Sequence, residues 1–161
     1  MIIDGITTFK GLEHRLEFVG TYQGIELYND SIATIPEACM EAVKTLKNVD
    51  TLILGGFDRR INYSAMVKFL GSSTVRNFIF SGPAGMTIRN EFEKIFPVGK
   101  NFFSINKFDE FLDIALNQTK PGGSCLLSPA AASYDEFINF EFRGNRFKEL
   151  VNGLKQMEGS V

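Results

Sequence analysis

The spacing of apolar and polar positions changes repeatedly along this chain, and each change marks an element. Ile2, Ile6, Phe9 and Leu12 recur at helical intervals and predict a short helix, with Gly11 placed to end it. From Gly11 to Asp30 the run GLEHRLEFVGTYQGIELYND alternates apolar and polar residues on both sides of Gln23-Gly24. That pattern predicts two strands joined by a tight hairpin, the second ending at Asp30. Helical spacing returns in Ile35, Ala38, Cys39, Ala42, Val43 and Leu46, a face expected to lie in the core. The start of this helix reads in two ways. Thr34-Ile35-Pro36-Glu37 is a capping box with Pro early in the helix, whereas Pro36 disfavours helical geometry at Ile35, which makes Ile35 the alternative cap.

Thr51 to Leu54 is continuously apolar, a buried strand that delivers Gly55-Gly56 and then Asp58, Arg59 and Arg60 at its carboxyl end. Val75 to Gly82 predicts the next strand and Gly82-Pro83 a turn, followed by a helix with the face Ile88, Phe92, Ile95 and Phe96. A weaker strand, Phe102 to Ile105, precedes a helix starting at Asn106 or Lys107, with Phe108, Phe111, Leu112, Ala115 and Leu116 on its face. Pro121-Gly122-Gly123 stops that helix, Ser124 to Leu127 reads as a central strand, and Phe147, Leu150, Val151, Leu154 and Met157 mark a last helix before a fraying Gly159 to Val161. The alternation predicts an α/β fold: a three-layer Rossmann-like domain whose sheet is mainly parallel, with an antiparallel hairpin at one edge.

Composition narrows the classes. A chain of 161 residues is one domain, and at that length it buries roughly 70% of its unfolded surface without a disulfide or metal staple. Its 16 Phe and absent Trp make a phenylalanine-rich core. A net charge of −2 gives no electrostatic footprint for nucleic acid or an anionic membrane, and no apolar run reaches membrane-spanning length. The first residues lack the pattern of a secretion signal, so the cytoplasm is the expected location. Cys39 and Cys125 lack metal-site spacing and read as small buried hydrophobes. With His14 as the only imidazole, a two-His metal site is excluded, and no GxSxG elbow supports a Ser-His-Asp triad.

The chemistry concentrates between Ser128 and Gly144, SPAAASYDEFINFEFRG. Small side chains at the carboxyl end of a buried strand let a ligand approach the main chain, and open α/β sheets bind ligands there. The stretch therefore reads as an anion cradle to which Ser133 can donate its hydroxyl. As a plain strand-loop-helix element it would instead supply Phe137, Phe140 and Phe142 to the core and leave Arg143 in solvent.

Ser128, Pro129, Ala130, Ala132, Ser133, Asp135, Phe137, Asn139, Phe140, Glu141, Arg143, Gly144 and Phe147, in one register, resemble a signature of the UDP-N-acetylmuramoyl-L-alanine:D-glutamate ligases of peptidoglycan synthesis. Three further segments resemble the same family: Gly11-Leu12-Glu13-His14-Arg15, Asn29-Asp30-Ser31-Ile32-Ala33-Thr34, and the Gly55-Gly56 loop with Arg59. The resemblance runs from Gly11 to about Leu154 and covers the C-terminal third of the family's architecture. It implies that residues 1–161 are a single C-terminal domain, with 1–12 a junction from a missing central domain.

The resemblance also implies roles. Thr34, Arg59, Ser133, Tyr134 and Phe140 would bind D-glutamate by positioning alone, while His14, Arg15 and Asp30 would lie at the nucleotide. Read from residue type alone, His14 and Arg15 are ordinary surface residues and Arg59-Arg60 a solvated pair. ATP and Mg would activate the UDP-N-acetylmuramoyl-L-alanine carboxylate as an acyl phosphate for attack by the D-glutamate amine. The chain has no GxxxxGK[ST] phosphate loop, so the triphosphate and the UDP-sugar are expected on other domains and the isolated domain is expected to be inactive. One departure stands out: Ile32 occupies the place of a family Lys, with Arg59 and Arg60 as candidates to replace its charge. Two alternatives remain, a domain of another amide ligase such as a folylpolyglutamate synthase, and a non-enzymatic α/β ligand-binding module.

Overall fold

The computed structural model describes residues 11–158; the helix expected over Ile2 to Leu12 falls almost wholly outside them. Strands β1 (Glu17–Tyr22) and β2 (Ile25–Asn29) form the expected antiparallel hairpin. Gln23 and Gly24 both take positive φ, 50° and 78°, the backbone that a two-residue turn between twisted strands requires. Then follow α1 (Pro36–Leu46), β3 (Val49–Gly55), α2 (Ser64–Gly71), β4 (Asn77–Ser81), α3 (Gly82–Ile95), β5 (Asn101–Ile105), a 3-10 turn (Phe108–Glu110), α4 (Phe111–Gln118), β6 (Ser124–Leu127) and α5 (Phe140–Glu158). The sheet runs β1-β2-β6-β3-β4-β5, parallel throughout except for β1 against β2.

Two apolar layers cover the sheet. One face of β3, β4 and β6 packs Leu52, Leu54, Phe78, Phe80 and Leu126 against α1, α2 and α3; the other packs Ile53, Ile79, Cys125 and Leu127 against α4 and α5. This follows from side-chain alternation along strands buried on both faces. Phe78, Phe80, Phe92 and Phe102 form one ring cluster, with centroids 4.7–6.5 Å apart. Both cysteines are buried and free, and burial pushes each thiol up to about 12.

Local geometry decides several boundaries, some of them away from expectation. Ile35, not Thr34, caps α1, extended at φ −131°, ψ 154° as a residue before Pro must be, and its side chain is exposed. Helix α2 has no counterpart in the sequence pattern; it is two turns long and starts where Asn62 Oδ1 accepts bonds from the Ser64 amide and hydroxyl. Gly82-Pro83 opens α3 instead of forming a separate turn. Phe96 turns left-handed (φ 45°) and leaves the helix, and both it and Ile95, the last helical residue, are exposed. Helix α5 begins at Phe140, so the last part of the cradle stretch is helical, while Met157 lies in solvent. Phe142 is exposed and Arg143 is buried, opposite to the plain packing assignment.

Candidate functional site

β2, β6 and β3 are neighbours, so their carboxyl ends bring residues 30, 128 and 56 side by side. Backbone bonds fasten the loops that follow. The Ala130 amide donates to Ala33 O, the Gly55 amide to Pro129 O and the Phe57 amide to Ala132 O, at 2.8 Å each. Close approach requires the glycines: a β-carbon on Gly56, which has φ 140°, would run into the Ala132 carbonyl oxygen. Arg59 completes the link across the site by donating from Nη2 to Thr34 O at 3.0 Å. The strand-to-helix connections also aim the amino ends of α1 and α3 at this edge of the sheet, where free N–H groups favour an anion.

Ser133 sits at the centre. It is 1% exposed, and its Oγ is the one buried side-chain polar atom among the described residues without a hydrogen-bond partner. A buried hydroxyl left unpaired costs about 1–3 kcal/mol, and such an atom calls for an explanation. Next to it, Tyr134 is exposed and meets the exposed Phe57 ring edge-on at 6.0 Å. Phe140 is the first residue of α5, where amides lack intrahelical partners. Asn139 caps that helix by accepting the Phe142 amide at 3.0 Å. Thr34 and the exposed Arg59 line the facing loops.

The expected nucleotide residues separate into two kinds. Arg15 is exposed and, with Asp30, lines an open groove of about 570 Å³ beside α1, a size that suits a small ligand. Asp30 is buried, its Oδ1 accepting the Leu16 amide at 3.0 Å and its Oδ2 the Ser128 hydroxyl at 2.7 Å. Burial raises its carboxyl above the ordinary aspartate range despite these bonds and the nearby Arg15. His14 is no surface residue. It is 4% exposed, left-handed at φ 65°, and wedged against Gly144 with Nδ1 2.9 Å from the side-chain Nδ2 of Asn29. Asn29 also donates to Glu17 and accepts the Ser31 amide, so it joins the His14 turn to the end of β2.

Arg143 belongs to the site as well, though residue type alone places it in solvent. The residue is 3% exposed, and its guanidinium has no carboxylate within salt-bridge distance among the described residues; it donates to Ser31 Oγ and O, Ala131 O and Ala132 O at 2.9–3.2 Å. Burial lowers it to about 10. The signal for it was present: Arg143 falls in phase with Phe140, Phe147 and Leu154 along α5, a charge on an apolar stripe. No three His, Cys, Asp or Glu side chains converge as metal ligands among the described residues. Nor is any helix among them long and apolar enough to cross a membrane.

Comparison with known proteins agrees with this arrangement. The family description "Mur ligase, glutamate ligase domain" matches residues 14–131. The UDP-N-acetylmuramoylalanine–D-glutamate ligase of Caldanaerobacter subterraneus subsp. tengcongensis is 38% identical over 151 residues, 94% of this chain and 33% of that protein. The enzyme of the same name from Clostridium botulinum strain Hall is 36% identical over 151 residues, 92% of this chain and 33% of its own length. The chain thus spans about a third of the curated relatives it matches.

Among solved structures, the UDP-N-acetylmuramate-alanine ligase of Thermotoga maritima superposes with a TM-score of 0.60 at 15% identity, over 94% of this chain and 33% of that one. The bifunctional folylpolyglutamate synthase/dihydrofolate synthase of Yersinia pestis gives 0.60 at 14% identity, over 87% and 31%. A domain of a Haemophilus ducreyi ligase of the same broad class gives 0.59 at 19% identity, over 87% of this chain and 99% of that one. At these identities the likeness is one of fold, an α/β domain shared with amide ligases. Sequence and fold together lead to one conclusion: the chain belongs to the Mur ligase glutamate ligase domain family.

Proposed function

We propose that this chain is the amino-acid-binding C-terminal domain, residues 1–161, of an ATP-dependent ligase that joins D-glutamate to UDP-N-acetylmuramoyl-L-alanine in the cytoplasm. The observation that carries the reading is the unpaired, buried Ser133 hydroxyl at the junction of the loops after β2, β3 and β6. In this reading Ser133 Oγ and the amides of Tyr134 and Phe140 donate to one carboxylate of D-glutamate, and Thr34 and Arg59 form the facing wall. Charge-assisted bonds of this kind orient the amine without covalent catalysis. The arginine also supplies the positive charge that Ile32 does not.

Arg15 and Asp30 would hold the nucleotide at the groove beside α1, while His14 acts from behind by fixing the turn that carries Arg15. Bound ATP supplies the phosphoryl group that activates the acceptor carboxylate. The remaining two thirds of such a ligase would hold the triphosphate, Mg and the UDP-sugar. Identities of 36–38% to D-glutamate ligases favour this reading over a folylpolyglutamate synthase, whose likeness at 14% identity concerns fold alone, and the unpaired hydroxyl within a ligase family favours it over a non-enzymatic binder.

The test is an NMR titration of the 161-residue chain with D-glutamate. Amide shifts at Ser133, Tyr134, Phe140 and Arg59 are expected, saturating at millimolar ligand if need be. Unchanged amides at those positions, or a preference for L-glutamate, would overturn the assignment.

A further inference from the structure

Ser31 is fully buried and has no surface that a ligand could touch. It follows Asp30 at the end of β2, and every polar group it carries is engaged. Its amide donates to Asn29 Oδ1 at 3.1 Å, and its carbonyl accepts Arg143 Nη2 at 2.9 Å. Its hydroxyl donates to Phe140 O at 2.7 Å and accepts from Arg143 Nε at 3.0 Å. One hydroxyl has one donor and two acceptor sites, and here the donor goes to the first residue of α5 while an acceptor site goes to the guanidinium. That guanidinium in turn holds Ala131 O and Ala132 O, immediately before Ser133.

The side chain therefore stands between the two arms that would grip one carboxylate: the Ser133 hydroxyl on the β6 loop and the Phe140 amide at the start of α5. We propose that Ser31 is a positioning residue for amino-acid binding, setting the spacing of these two donors through Phe140 and Arg143. The proposal rests on the reading of the site given above. Two donors serve one carboxylate only when both lie at hydrogen-bond distance together, so an offset of well under a bond length in either arm weakens both. Ser31 is covered by protein, so it acts on the ligand only through these partners.

The experiment is the D-glutamate titration repeated with Ser31→Ala, Ser133→Ala and the double variant, alongside thermal unfolding of each. Ser31→Ala is expected to raise the D-glutamate Kd about tenfold, the equivalent of one lost hydrogen bond, and the double variant to bind no more weakly than the weaker single variant. Ser31→Cys, with nearly the same volume and a weaker sulfur acceptor, should fall between wild type and Ala, and replaces Ala in the cycle if Ala does not fold. A Ser31 variant with a lowered unfolding temperature but a Kd within about twofold of wild type overturns the proposal, as do Ser31 and Ser133 effects that simply multiply. A wild-type chain whose Ser133 and Phe140 amides ignore D-glutamate overturns the site itself. A Ser133→Ala effect without a Ser31 effect overturns only the role of Ser31.

Discussion

At the scale of single residues, the site stores polar groups that stability alone does not explain. Ser133→Ala removes a hydroxyl with no internal partner, so the unfolding temperature should hold or rise slightly while the D-glutamate Kd increases by the worth of one charge-assisted bond, about 1.5–3 kcal/mol. Calorimetric unfolding and the NMR titration read the two effects separately. Arg59 is exposed and already holds Thr34 O. Its planar fork can keep that bond and still present N–H groups to a carboxylate, which a Lys ammonium cannot do with the same geometry. Arg59→Lys should therefore weaken D-glutamate binding by about 1 kcal/mol, roughly fivefold, without loss of stability; near-normal binding would show that the guanidinium fork of Arg59 is not needed to compensate for Ile32.

Asp30 gives a pH dependence whose sign is fixed by its burial. Its carboxyl is raised in the folded protein, so the folded chain binds this proton more tightly than the unfolded chain. Its contribution to stability then falls as pH rises from the ordinary aspartate value through the raised one. Asp30→Asn removes that dependence. The difference in unfolding temperature, variant minus wild type, should become more positive between about pH 3 and pH 7; a flat difference would contradict it.

At the scale of elements, three loops and one helix start are zipped together by main-chain bonds, and this zipper depends on glycines where strands end. Gly56→Ala would strain a φ of 140° and drive a β-carbon into Ala132 O. We expect a loss of at least about 2 kcal/mol together with the loss of D-glutamate binding, measured by denaturant unfolding and titration. The same arrangement explains why α5 carries a buried arginine. Arg143 lies one turn into the helix and reaches the ends of both β2 and β6, so a single side chain ties three elements at the site. Its carbonyl acceptors solvate the cation in place of water, and burial still pulls it down to about 10.

At the scale of the molecule, the two apolar layers close on one sheet within this chain, so the 161 residues should unfold in a single cooperative transition, coincident by near- and far-UV circular dichroism. The same chain should release no phosphate from ATP with D-glutamate present, because it carries neither a phosphate loop nor a cluster of metal-ligating side chains among the described residues. Phosphate release by the purified chain would remove the division of labour proposed here.

Local pattern was sufficient for most of the architecture. Alternation around Gln23-Gly24 specified the hairpin, and apolar runs specified the middles of β3, β4 and β6, because side chains there are buried on both faces of the sheet, while polar residues such as Asp50, Asn77 and Ser124 sit at the strand ends. Family resemblance, rather than local pattern, implies the grouping of Thr34, Arg59, Ser133, Tyr134 and Phe140. Helix α2 was not legible, since two turns held by a loop cap and by tertiary packing give too short a period to read. Only the tertiary structure decided that Arg143 is buried, that His14 is a wedge and that Ser31 joins two arms of the site. Each depends on partners more than 10 residues away in sequence, and a hydrogen bond between distant segments leaves no periodicity in either of them.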